Sequence, residues 1–225
     1  MQVNLLVGGP KEFLPIEKMK QQTGVWLTAD RGTLRLIDLG IIPQLAVGDF
    51  DSATDAEFQL IKKQVKQIIS SSSVKDETDT ELLLDNVQKL YPQADVINIY
   101  GATGGRLDHF LSNLYLVVQP RYHNLVNKIK LWDQENYLSF FTPGHYQITK
   151  QQDKDYLAFV NLTSVKGLSL YDEKYLLNNA DYDYPISLAS NEFVGQTASF
   201  SFDEGILCVV QSKDSVDNKV KRYGI

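Results

Sequence analysis

"QLAVGDFDSATDAEFQLIKKQVKQIIS", residues 44–70, is the stretch on which the fold turns. It opens on a short apolar run, "QLAV", and turns at Gly48 with Asp49 and Asp51. It continues through "DAEFQLIKKQV", with apolar residues at helical spacing, and closes on a second β-rich run, "VKQIIS". Strand, helix and strand in so short a span require a crossover between parallel neighbours, and such crossovers are right-handed. Working outward, "VNLLV", "VWLTA" and "DVINIY" are near-continuous in Val, Ile and Leu, as strands covered on both faces are. "TLRLIDLG", "DTELLLDNVQKLYP" and "RLDHFLSNLYLVVQ" carry helical periodicity, the first ending in Gly40 as a C-cap would. The alternation predicts an α/β fold: an N-terminal open parallel sheet with flanking helices, Rossmann-like in layout.

The period changes between residues 120 and 130, where Pro120 and the polar "RYHN" make a plausible boundary. Beyond it "KIKLWD", "NYLSFF", "HYQIT", "DYLAFVNL", "TASFSF" and "ILCVVQS" are strand-length, rich in aromatic and β-branched residues, and separated by turn signals. They predict an antiparallel β-sandwich or small barrel, and the sandwich is the expectation adopted. The chain is therefore read as an α/β domain over 1–125 and a β-sandwich domain over 126–225.

Composition bounds the function. With 225 residues, 43% of them apolar, the chain can bury a real core. A net charge of -6 argues against nucleic acid as partner, because phosphate backbones are gripped by Lys/Arg-rich faces. Cys208, the one cysteine, lies in the apolar "GILCVV" and reads as a buried, inert thiol. "MQVNLLVGGP" lacks a basic leader, and no run approaches the ~20 apolar residues of a membrane helix. The expectation is a cytoplasmic protein with no membrane partner.

In an open parallel sheet ligands bind beyond the carboxyl ends of the strands. Here those ends run into Gly8–Gly9–Pro10, Asp30–Arg31–Gly32, Gly48–Asp49 with Asp51, Lys75–Asp76 with Asp79, and Gly101 with Gly104–Gly105–Arg106 and Asp108. Every end brings small residues or carboxylates. Asp49 and Asp51 could be turn residues or helix caps. Asp76 and Asp79 could serve the dipole of the helix that follows, although their i, i+3 spacing puts both on one face. If all four converge, their mutual repulsion calls for a hard, oxygen-liking cation such as Mg²⁺. Gly104 and Gly105 ahead of a helix would let a backbone approach an anion, and Arg106 adds a planar cation for phosphate oxygens. His109 reads as a structural hydrogen-bonding residue, and His123 and His145 have no identified partners.

Taken together, "GDFDS" (48–52), "KDETDTE" (75–81), "GGRLDH" (104–109) with Asn113, and "SNEF" (190–193) resemble the thiamine pyrophosphokinase family in content and order. "TADRG" (28–32) is similar to that family's segment after the second strand. The resemblance implies transfer of a pyrophosphoryl group from ATP to the hydroxyl of thiamine, giving thiamine diphosphate and AMP. It also implies a homodimer with the active site at the interface. Carried over, Asp49, Asp51 and Asp79 would hold Mg²⁺, and these three with Arg106 and Asp108 form the expected catalytic set. Asp30, Lys75, Asp76, Thr78, Gly104, Gly105, Arg106 and Asn113 would line the ATP side; Ser190, Asn191 and Tyr184 the thiamine side. Where the family tends to show Gly-Leu-Lys-Tyr-Pro, this chain has "DYDYP" at 181–185, matching only at Tyr184 and Pro185. The rival readings are a metal-dependent sugar-nucleotide glycosyltransferase, which accounts for "DFD" alone, a nucleotide-sensing module without catalysis, and a metal-dependent phosphatase.

Overall fold

The computed structural model describes residues 1–51, 53–70 and 77–214, which form two compact units: 1–116 with 130–134, and 117–129 with 135–214 of the described chain. This division differs from a single cut after residue 125. "PRYHNLVNK" is a 3-10 helix, Pro120–Lys128, that buries Tyr122, Leu125 and Val126 in the second unit, so its polar residues are one face of a helix and not a linker.

The first unit runs β1 (Gln2–Leu6), α1 (Ile16–Lys20), β2 (Val25–Ala29), α2 (Arg31–Asp38), β3 (Leu45–Gly48), α3 (Asp55–Gln64), β4 (Gln67–Ser70), α4 (Asp79–Leu90), β5 (Val96–Tyr100) and α5 (Leu107–Tyr115). β6 (Ile129–Trp132) flanks β5. β4, β3, β2, β1 and β5 pair in that order, all parallel, with Leu5 opposite both Leu27 and Ile99. The apolar runs that identified the strands are therefore the sheet's two covered faces: Leu6, Trp26, Leu36 and Tyr100 pack on one cluster, and Leu34, Ala46, Phe50 and Ile61 on another.

One polar chain crosses this apolar sheet. Trp132 Nε1 donates to Asn98 Oδ1 (2.9 Å), Asn98 Nδ2 to Asn4 Oδ1 (3.0 Å), and Asn4 Nδ2 to the Thr23 carbonyl (2.8 Å). Because Asn4 and Asn98 are register partners, the chain fixes the β1–β5 alignment, which a one-residue slip would break. Asn98→Leu is expected to lose about 1–3 kcal/mol, since it strips Trp132 Nε1 of this acceptor and Asn4 Oδ1 of a donor. A urea midpoint that falls without a change in m is the check.

In the second unit, β7 (Asn136–Phe141), β8 (Gly144–Thr149), β9 (Tyr156–Asn161), β10 (Val165–Leu170), β11 (Leu177–Tyr182), β12 (Ile186–Asn191), β13 (Thr197–Phe202) and β14 (Leu207–Ser212) form two antiparallel layers. The orders are β12-β9-β14-β7 and β11-β10-β13-β8. Their facing sides share one core, where Phe200 meets Phe141 at 5.1 Å and Phe159 at 5.3 Å, both edge-on. This is the expected sandwich. Cys208 is buried within it, as its apolar neighbours indicated.

Candidate active site

β1 has β2 on one side and β5 on the other, so the strand order reverses there, and a crevice opens where the loops after β1 and β5 part. The two loops are knitted together at its floor: Val7 N–H donates to the Tyr100 carbonyl (3.0 Å) and Gly9 N–H to the Gly101 carbonyl (2.9 Å). A Cβ on Gly9 would sit 2.2 Å from the Gly101 oxygen, so only glycine allows this approach. The Arg35 guanidinium, reaching back from α2, takes the Gly9 carbonyl and fixes the other end of that residue.

Above this floor lies a cavity of about 460 Å³, ample for a small ligand. α2, α4 and α5 all begin at its wall, after Asp30, Thr78 and Arg106. The positive ends of three helix dipoles thus meet at one place, which favours an anion. At α4 the start is sharply defined: Thr78 Oγ1 accepts from Glu81 N–H (3.3 Å) and the Glu81 carboxylate takes Thr78 N–H (2.7 Å). The capping box is therefore Thr78–Glu81, and Asp79, next to it, lines the cavity.

Asp30 faces Asp79 across this wall. Its backbone takes an unusual positive φ of 43°, with its N–H on the Val47 carbonyl (2.9 Å). One carboxylate oxygen, Oδ1, is buried and has no hydrogen-bond partner among the described residues. Burial, then the neighbouring Asp79 carboxyl and the charge of Asp49, push the Asp30 carboxyl up to about 7. A buried, unpartnered, hard oxygen beside further carboxylates is chemistry that fits a divalent cation. Among the described residues, however, no three such side chains stand close enough to form a complete metal site.

The "DFD" loop explains part of that. Phe50, at a left-handed φ of 53°, drives its ring into the core, 6% exposed and 5.4 Å from the Phe58 ring. Asp49 and Asp51 on either side are exposed, and Asp51 N–H donates to Asp49 Oδ1 (3.2 Å). The turn reading holds: one oxygen of Asp49 closes the turn, and neither carboxylate lines the cavity itself. Lys75 and Asp76 lie outside the described residues.

On the opposite wall, Gly104 and Gly105 both have left-handed backbones, with φ of 77° and 67°. Arg106 is not idle: its Nε donates to Asp108 Oδ1 (3.1 Å) and its Nη2 to Asp108 Oδ2, a fork that holds the Asp108 carboxyl below its usual range. Asn113 lines the cavity, but its amide nitrogen is committed to the Ala102 carbonyl (3.0 Å), tying α5 to the loop after β5. His109 and Ser112 also line the cavity, which the residue-type reading missed. Their i, i+3, i+4 relation with Asn113 places all three on one face of α5, and that spacing was the available signal.

In the sandwich, β12 carries a bulge: Leu188 pairs with Phe159 but Asn191 with Leu157, so one extra residue is accommodated between them. The bulge reverses the inward–outward phase. Ser190 is turned out at a left-handed φ of 64°, and Asn191 is turned in, 4% exposed. Tyr184, placed by the resemblance on the same side, is held through its carbonyl, which accepts from Asn161 Nδ2 (2.8 Å), while its side chain is exposed. Asp181 and Asp183, from the same "DYDYP" segment, pair with Lys166. The Lys-Tyr pair that lies against "SNEF" is Lys174–Tyr175: Lys174 N–H donates to the Glu192 carbonyl (3.1 Å) and Tyr175 N–H to Asn191 Oδ1 (2.9 Å).

Comparison with known proteins bears on both units. Residues 16–130 match the family model described as thiamin pyrophosphokinase, catalytic domain, and residues 145–207 that of thiamin pyrophosphokinase, vitamin B1 binding domain. The chain is 39% identical over 215 residues to the thiamine pyrophosphokinase of Bacillus subtilis strain 168, covering 94% of this chain and 99% of that protein. Among solved structures, a thiamin pyrophosphokinase family protein from Enterococcus faecalis superposes with a TM-score of 0.89 at 41% identity, over 96% of this chain and 100% of that one. A protein from Lactobacillus plantarum does so with a TM-score of 0.84 at 47% identity, with the same coverage.

Proposed function

Because the chain belongs to the thiamine pyrophosphokinase family, we propose that it transfers a pyrophosphoryl group from ATP to thiamine, with Mg²⁺. The thiamine hydroxyl oxygen forms a bond to the β-phosphorus, the bond from that phosphorus to the α–β bridging oxygen breaks, and the hydroxyl proton is released. The products are thiamine diphosphate and AMP. The observation that carries the reading is the cavity where three helices begin, with glycine turns on one side and Asp30 and Asp79 on the other. Helix starts favour phosphate oxygens, whereas two carboxylates repel them, and an anion and these aspartates can share the cavity only with a cation between them.

Asp79, with Asp49 and Asp51 from the "DFD" loop, is proposed to hold Mg²⁺, with the buried oxygen of Asp30 alongside. Bound Mg²⁺ would neutralise part of the charge on the transferred group. The rest is positioning, which is most of what phosphoryl-type transfer asks of a protein. Gly104 and Gly105 admit the triphosphate, and Arg106, oriented by Asp108 through Nε and Nη2, offers phosphate its remaining Nη1 donors. On the thiamine side we place Ser190, Tyr184 and Tyr175, whose 58% exposed ring suits a cationic thiazolium. A homodimer completing the site is part of the proposal, supported by Leu107, Leu111 and Tyr115, which leave one face of α5 apolar and exposed. So is a cytoplasmic location; no described helix is long and apolar enough to cross a membrane.

The test is purified chain with ATP, Mg²⁺ and thiamine, with nucleotides and thiamine species separated afterwards. Equal amounts of thiamine diphosphate and AMP, lost on adding EDTA, are expected. ATP left intact by folded protein would overturn the reading.

A further inference from the structure

We propose that Asn191, which the resemblance places against thiamine, is instead a positioning residue that acts through Tyr175, as the clasp of a preset loop at 171–175. The inference rests on the functional reading above. The amide of Asn191 is nearly used up within the protein. Its oxygen accepts from both Tyr175 N–H and Glu192 N–H, each at 2.9 Å, and its nitrogen donates to the Tyr175 carbonyl at 2.9 Å. An amide oxygen has two acceptor sites, so none remains for a ligand, and the side chain is 4% exposed.

The loop it clasps is fixed at every position while its apolar side chains are left outside. Asp172 takes both the backbone N–H (2.6 Å) and the hydroxyl (2.9 Å) of Ser199. Glu173 pairs with Phe193 across the gap, and its carboxylate folds back to accept Asp172 N–H at 3.1 Å. Glu173 is only 3% exposed, and its other oxygen has no partner among the described residues. Lys174 holds Glu192 through its main chain and, at 2.6 Å, its ammonium. Yet the rings of Tyr171 and Tyr175 and the side chain of Leu176 stand more than half exposed. Immobilising a backbone costs entropy, and a loop that has met this cost in the free protein presents its aromatic groups to a ligand without meeting it again on binding.

The experiment is a double-mutant cycle on the full chain with Asn191→Ser, Tyr175→Ala and the double variant. The KM for thiamine, the KM for ATP and kcat are measured for each, alongside trypsin cleavage after Lys174. Asn191→Ser is expected to raise the thiamine KM about tenfold with the ATP KM and kcat unchanged, and the double variant to be no worse than Tyr175→Ala alone. Cleavage after Lys174 should quicken in Asn191→Ser. Single effects that multiply in the double variant would make Asn191 a direct thiamine contact and overturn the proposal. An unchanged thiamine KM in Asn191→Ser would do the same. Should Asn191→Ser not fold, Asn191→Asp, which keeps the shape but sets a carboxylate oxygen against the Tyr175 carbonyl, takes its place with the same expectations. A wild-type chain that makes no thiamine diphosphate would sink the functional reading, while trypsin cleavage would still decide whether Asn191 clasps the loop.

Discussion

Asp79→Asn is expected to lose about a hundredfold or more in kcat/KM while the metal-free protein unfolds no earlier than wild type. The two expectations come from the same feature. Asp79 stands beside the half-buried carboxyl of Asp30 at the start of α4, a pairing of like charges that helps only when a cation is bound between them. Replacing it with the isosteric amide removes a proposed Mg²⁺ ligand and, with it, a repulsion. That relief, discounted for the partial exposure of both groups, is on the order of 1 kcal/mol. Against it stands the lost attraction between an N-terminal carboxylate and the helix dipole, about 0.3–1 kcal/mol, and Glu81 remains in the same turn. A chain of this length shifts its midpoint by roughly 2–4 °C per kcal/mol, so thermal unfolding in EDTA can resolve the sign. Wild-type turnover in Asp79→Asn would remove the residue from the metal assignment; a markedly lower midpoint would show that its charge serves the fold.

Gly48→Ala should be nearly as severe for activity and, unlike Asp79→Asn, should also destabilise. Gly48 ends β3 with a φ of 145°, open in practice to glycine alone, and a Cβ there would lie 1.8 Å from Asp30 Oδ1 and 2.8 Å from its Cγ. The Asp30 backbone is pinned by its bond to Val47, so the carboxylate must leave its position. The backbone strain adds a stability cost of about 1–3 kcal/mol. Gly40→Ala is the control that separates the two effects. Its φ is also positive, at 76°, but nothing lies within 4 Å of the added carbon. It should cost about 1 kcal/mol and leave turnover untouched. Equal turnover in the Gly48 and Gly40 variants would mean that the close approach to Asp30 has no catalytic consequence.

The parallel sheet was legible because "VNLLV", "VWLTA" and "DVINIY" are apolar on both faces, and a run that short and that uniformly apolar suits a strand covered from both sides. β10, β11 and β12 were not. β11 and β12 are edge strands with mixed, largely polar sequences, while β10 carries register shifts and a left-handed Gly167, which break the period-two alternation. In the site, a carboxylate or glycine at each strand end could be read from position alone. Which of them meet could not, because convergence depends on strand order, and the order that places β5 beside β1 is a long-range fact. The phase of Asn191 was hidden for a different reason: alternation along "ISLASN" points Ser190 inward, and only the bulge exchanges the two.

The placement of β1 between β2 and β5 has a consequence for how the molecule comes into being. Gln2 pairs with Val96, so β1 is made well before β5 and waits for it before its second edge is covered. The interval spans β2, β3 and β4 with helices α1 to α4, and a contact this distant in sequence is among the slower ones to close. Until then the apolar edge residues of β1 are available to any chain that offers a matching strand. The crevice that receives the ligand is the seam of that last closure: a nascent chain has no binding site to protect it and acquires one only when its most exposed edge disappears.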